Sequence, residues 1–126
     1  MNAFVLVGAG GLLGSMGRYG VSMIMQHYMP LASFPWATLT VNVVGSLLVG
    51  LAAHALEVLP GGGAELRLFI ITGFLGGFTT FSAFSLETVA LLRNGPLAYV
   101  IINVGANLTL CILAVSVGLL IGRSLS

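Results

Sequence analysis

The chain has no lysine and no aspartate, and only 6% of its 126 residues are charged, where a soluble domain carries about 25%. So few charges cannot cover a water-facing surface. No segment has enough of them to give every helix the polar stripe that a small soluble helical domain needs. With 58% hydrophobic residues and a mean hydropathy of +1.13, the chain reads as an all-α integral membrane protein. The missing aspartate also removes one member of a Ser-His-Asp relay, and His27 and His54 lie in other segments from the central serines, so an enzyme is not expected. A net charge of +1 supplies no basic patch for nucleic acid. A single cysteine, Cys111, excludes an intrachain disulfide.

What is present is apolar sequence in long runs. Four spans stand out at about 3–25, 36–56, 68–92 and 97–122, each near or above the roughly 20 residues that cross about 30 Å of hydrocarbon. The connections between them are Met29–Phe34, the "LPGGGAELR" turn at Leu59–Arg67 and "RNGP" at Arg93–Pro96, all rich in turn formers. They are too short for a second domain, so one four-helix transmembrane domain is expected over 1–126. The first run lacks a basic flank and outlasts the apolar core of a signal peptide, which argues against cleavage. A bacterial inner membrane is the expected compartment.

The arginines divide evenly. Arg67 and Arg123 fall on the side of the termini, Arg18 and Arg93 towards the other. Orientation follows Lys/Arg imbalance in short loops, and here that imbalance is close to nil. The sequence therefore predicts insertion both ways up and an antiparallel homodimer about a two-fold axis in the membrane plane. Eighteen glycines, among them Gly10-x-x-x-Gly14, Gly14-x-x-Gly17 and Gly118-x-x-x-Gly122, suit closely approaching membrane helices.

Polar residues inside the spans fall into rows. Thr38, Asn42 and Ser46 recur every four residues in the second span, and Asn103, Asn107 and Cys111 do so in the fourth, so each set lies along one helix face. Uncharged donors in file suit an anion that must shed water. The alternative is hydrogen bonding that holds helices together; two rows beside a third set of hydroxyls favour a pathway. That third set lies in "TGFLGGFTTFSAFSLETV", Thr72–Val89. Gly73, Gly76 and Gly77 weaken helix continuity, and Thr79 and Thr80 can re-satisfy freed backbone groups, which predicts a break near Gly76–Thr80. Carbonyls freed there would suit a hard cation. Beyond it, Phe81 and Phe84 share a face and Ser82, Ser85 and Thr88 the adjacent one; ring edges carry partial positive charge and can meet a small anion. Arg18 is expected on backbone carbonyls or headgroups. Glu87 is expected either at the mouth of the path or paired with an arginine such as Arg93. His54 is expected to be packed.

These residues resemble the Fluc (CrcB) family of fluoride channels. The resemblance covers essentially the whole chain through "GSMGRYG", "ATLTVNVVG" and the highly specific "GFLGGFTTFSAFSLET"; Ala37 and the Asn103, Asn107, Cys111 row depart from the family pattern. It implies a dual-topology homodimer with two antiparallel pores. It further implies a structural Na+ at the dimer centre on the carbonyls of Gly76 and Thr79, and a fluoride path along Asn42, Phe81 and Phe84. Thr38, Ser82 and Asn107 join that path as candidate fluoride-binding residues from the donor rows. The implied activity is passive fluoride efflux. A small dual-topology multidrug-type transporter is the alternative, but it would carry a carboxylate deep in its first span, and this span has none.

Overall fold

The structure, a computed structural model, describes residues 2–126, and its regular elements are helical throughout. Helix α1 runs Ala3–Tyr28, opened by Asn2, whose side chain accepts the Phe4 N–H at 2.8 Å, a standard N-cap. Pro30 follows its end and cannot continue it. Helix α2 runs Trp36–Glu57 behind Pro35. A tight turn, Pro60–Gly63, then reverses the chain with Gly61 and Gly62 at φ +79° and +74°, a region that only glycine enters freely.

The third crossing is composite. Helix α3 covers 64–78 as a turn of α-helix Ala64–Arg67, a widened π-helical stretch Leu68–Leu75 and a last α turn Gly76–Phe78. Thr79 then adopts an extended conformation, φ −83° and ψ 158°, and helix resumes as α4, Ser82–Asn94. The interruption falls within the window that the glycines and threonines predict. Helix α5, Leu97–Ser124, starts behind Pro96, whose missing N–H costs nothing at a helix start.

Among the described residues, three helical segments are long and apolar enough to cross a membrane: Trp36–Glu57, Pro60–Asn94 and Leu97–Ser124. At 26 residues, α1 is about 39 Å long, which suffices in length. It is not one of the three because Arg18 and its many glycines lower its hydropathy.

Glycines decide which helices touch. A Cβ at Gly10 or Gly14 of α1 would run into the backbone carbonyls of Phe69 or Phe74 of α3, and one at Gly77 would meet the Gly11 carbonyl at 2.7 Å. The second pair, α2 and α5, meshes likewise: a Cβ at Gly50 would strike the Val115 carbonyl, and one at Gly118 the Leu47 carbonyl. Gly122 leaves room for His54, whose Cβ lies 3.0 Å from where a Gly122 side chain would begin. Such backbone contact gains dispersion energy that lipid-facing leucines would not supply. Four of the glycines singled out by spacing, Gly10, Gly14, Gly118 and Gly122, sit at these crossings. Gly17 faces only the Phe78 ring, at 3.4 Å. His54 is packed there and meets the Ser126 hydroxyl at 2.9 Å. Large apolar side chains such as Leu12, Ile24, Ile101, Ile112 and Leu120 point outward, the reverse of a soluble domain.

Candidate functional site

The site grows from the break between α3 and α4. Thr79 still bonds back, its N–H and its hydroxyl both donating to the Leu75 carbonyl at 3.0 and 2.9 Å. Thr80 cannot, and its backbone N–H and C=O would be stranded at the middle of an apolar segment. Asn42 of α2 satisfies both: its Oδ1 accepts the Thr80 N–H at 2.8 Å and its Nδ2 donates to the Thr80 carbonyl at 3.0 Å. The Thr80 hydroxyl in turn accepts the Ala83 N–H at 3.1 Å, opening α4. Arg18 of α1 donates from Nε to the Gly77 carbonyl at 3.1 Å, the carbonyl contact expected of it. No hydrogen bond among the described residues reaches the carbonyl oxygens of Gly76 and Thr79.

A line of amides runs on from Asn42. Its Nδ2 also donates to Asn107 Oδ1 at 3.0 Å. Asn107 Nδ2 donates to the carbonyl and the Oδ1 of Asn103 at 2.8 and 3.0 Å. Asn103, with 0% of its surface exposed, donates from Nδ2 to the Thr88 hydroxyl at 3.0 Å, and Thr88 donates to the Phe84 carbonyl at 2.7 Å. Buried polar groups stay affordable only when paired in this way.

Beside the break lies an open cavity of about 390 Å³, walled by Asn42, Ser46, Thr80, Phe81, Phe84 and Asn107, with Cys111 and apolar residues of α5 along one side. Among the described residues, no charged side chain lines it. Phe81 and Phe84 have ring centroids 5.3 Å apart at 51°, but their settings differ: Phe84 is 7% exposed and Phe81 74%.

The expected path residues thus separate. Asn42, Phe81, Phe84 and Asn107 share the cavity, joined by Ser46 and Cys111 from the same helix rows. Ser82 does not line it; its hydroxyl sits 3.4 Å from that of Thr80, long for an O–H···O bond. Thr38 lies elsewhere, donating to Glu87 Oε1 at 2.8 Å. Glu87 therefore meets Thr38 instead of Arg93 of its own chain, and its Oε2 is buried without a partner among the described residues. Glu87 borders two further cavities, of about 430 and 290 Å³, under the connections at the Arg93 end. Helical spacing places Thr38 on the Asn42 face correctly, yet it cannot reveal that a carboxylate from another helix accepts its hydrogen bond. The contact of Thr88 with Asn103 and that of Arg18 with Gly77 arise the same way, between helices, where no spacing within one helix signals them.

The family model described as CrcB-like protein, Camphor Resistance (CrcB), matches residues 5–119. The fluoride-specific ion channel FluC of Rhizobium meliloti (strain 1021) is 48% identical over 130 residues, covering 99% of this chain and 99% of that relative. Its namesake from Hyphomonas neptunium (strain ATCC 15444) is 44% identical over 124 residues, 98% of this chain and 97% of the relative. The one from Opitutus terrae (strain DSM 11246 / JCM 15787 / PB90-1) is 46% identical, covering 94% and 90%. These matches span nearly the whole chain, the interrupted third helix and both polar rows included, and the chain belongs to the CrcB-like family.

Proposed function

We propose that this protein is a fluoride-selective ion channel through which the anion leaves the cell passively across the bacterial inner membrane. The single observation that carries this reading is the uncharged cavity at the helix break, where two phenylalanine rings, a serine and an asparagine pair meet. Relatives alike over nearly their full length are named fluoride-specific ion channels. Fluoride is small and strongly hydrated, so a pore must replace its water with many modest partners while staying too narrow for chloride. A fixed positive charge in the cavity would hold the ion; ring edges and hydroxyls let it go. Both amide hydrogens of Asn42 are already engaged, which leaves the edges of Phe81 and Phe84, the Ser46 and Thr80 hydroxyls and the weaker Cys111 thiol as the donors at the cavity. Thr38 and Ser82 would then act at the approaches.

In this reading α1 is the fourth crossing, and two copies pair antiparallel. The carbonyls of Gly76 and Thr79, left free by the break, would hold a Na+ between the copies: oxygen ligands are what a hard cation takes. Such an ion supplies positive charge at mid-depth, where holding an anion is most costly. Arg18, pinned at Gly77, adds a second positive charge beside the same turn.

A multidrug-type carrier would carry a carboxylate deep in its first span for cationic substrates, and α1 has none. Expression in a bacterium lacking its fluoride exporter decides between the two. The channel restores growth in fluoride and leaves dye sensitivity unchanged; dye resistance without fluoride tolerance would favour the carrier.

Two expected results test the assembly. A cysteine placed in the 59–67 turn of a Cys111→Ser protein should be labelled from both faces of sealed membranes, because the arginines give no preferred orientation; labelling from one face alone would exclude dual topology. Exchanging sodium for a large organic cation should deactivate the channel and loosen the dimer, with Gly76→Leu damaging more than Thr79→Ser because the carbonyl positions matter there. Activity indifferent to sodium would remove the cation from the account.

A further inference from the structure

We propose that Thr88, Asn103 and Asn107 are positioning residues: they form a one-way hydrogen-bond ladder that sets the two phenylalanines of the cavity. Its effect on transport rests on the channel reading above, whereas its effect on the break does not. The direction of the ladder is forced by its ends. The Thr80 N–H can only donate, so Asn42 must turn its Oδ1 to it, at 2.8 Å. That places Nδ2 of Asn42 towards the Thr80 carbonyl and Asn107, and Asn107 must therefore present oxygen. Asn107 then has only hydrogens to offer the carbonyl and Oδ1 of Asn103. Asn103 in turn donates to Thr88, whose own proton goes to the Phe84 carbonyl. Flipping the amide of Asn42 or Asn107 would set N–H against N–H on one side and oxygen against oxygen on the other, and flipping Asn103 would set its N–H groups against those of Asn107 and turn the Thr88 hydroxyl away from the Phe84 carbonyl.

The two ends of this ladder are the backbone of Thr80 and the backbone of Phe84, which bracket Phe81 and Phe84 on the chain. It crosses from α2 to α5 and back to α4, so the separation of the break from the first turn of α4 is set from outside that segment. Asn103 and Thr88 do not line the cavity. Their influence runs through Asn42 and the Phe84 carbonyl. In an apolar interior each link also polarises the next, so loss of a distant one is felt at the break.

The test uses the full-length protein in membranes, with two readouts. Amide hydrogen exchange over 79–84 should rise about tenfold in Thr88→Val, which keeps the shape and deletes the hydroxyl, and in Asn107→Leu, the scale of one lost neutral hydrogen bond. Thr88→Ser should restore the parental rate. Fluoride flux per assembled protein should fall about tenfold in Thr88→Val, and Thr88→Val should cost nothing further in an Asn42→Ala background, since both act through one ladder. Unchanged exchange at 79–84 in both ladder variants would overturn the proposal, as would an equal loss of flux from Thr88→Val with and without Asn42. If the parental protein passed no fluoride, the exchange result would still decide for or against the ladder while the channel reading fell.

Discussion

Replacing Phe81 by isoleucine should lower fluoride flux per assembled protein by about 100-fold, comparable to removing one preorganised donor from a site of concentrated negative charge. Isoleucine keeps apolar bulk but has no positive ring edge, whereas Phe81→Tyr keeps the ring and should stay within several-fold of the parent. The exposure of Phe81, 74% in the protomer, separates this from a packing effect. A side chain so little covered contributes little to the protomer's core, so Phe81→Ile should still fold. Phe84 is the contrasting case. At 7% exposed and with its carbonyl receiving Thr88, Phe84→Ile should lose flux and also some folded protein, since a buried aromatic replaced by a smaller residue leaves a void. Flux must therefore be measured at matched amounts of assembled protein. Parental conduction by Phe81→Ile would show that ring edges do not carry the anion.

The second large effect concerns the glycine crossings. Gly118→Val should reduce the yield of folded protein at least about tenfold, because its side chain would collide with the Leu47 carbonyl of α2 and a helix backbone cannot rotate away as a side chain can. Ordinary overpacking costs about 1–3 kcal/mol, and a backbone collision lies at or above the top of that range. In the same helix, Gly105→Ala meets nothing within 4 Å and should be tolerated or slightly stabilising, as alanine is the better helix former. Thermal unfolding in detergent gives the comparison. Equal stability of the two variants would mean that α2 and α5 do not meet through these glycines.

Much of this fold can be read from composition and spacing, for identifiable reasons. Paired glycines followed by paired threonines announce the interruption of the third helix because hydrocarbon tolerates freed backbone groups only beside such side chains. The prolines at 30, 35, 60 and 96 mark connections because they cannot donate within a helix. The Leu68–Leu75 π-helical stretch has no comparable signature, since its residues would serve an α-helix equally well. The site was legible in part. Four-residue spacing puts Asn42, Ser46, Asn107 and Cys111 on the right faces, and all of them reach one cavity. Spacing says where a donor points, not which acceptor claims it. The same spacing suits Asn42 and Asn107 either to an ion or to a neighbouring helix, and both amides make bonds within the protein. Thr38, on the Asn42 face, donates to Glu87. For Glu87, charge suggests an arginine such as Arg93 as partner or a place at a mouth; within the protomer it meets the Thr38 hydroxyl and borders two cavities.

The most direct test of the account is halide release from liposomes holding the purified protein in sodium, loaded with equal fluoride and chloride, and opened by a potassium ionophore. The account predicts rapid fluoride release, without any imposed proton gradient, from vesicles that retain their chloride. Release of both halides at similar rates, or fluoride release only when a proton gradient is applied, would contradict it.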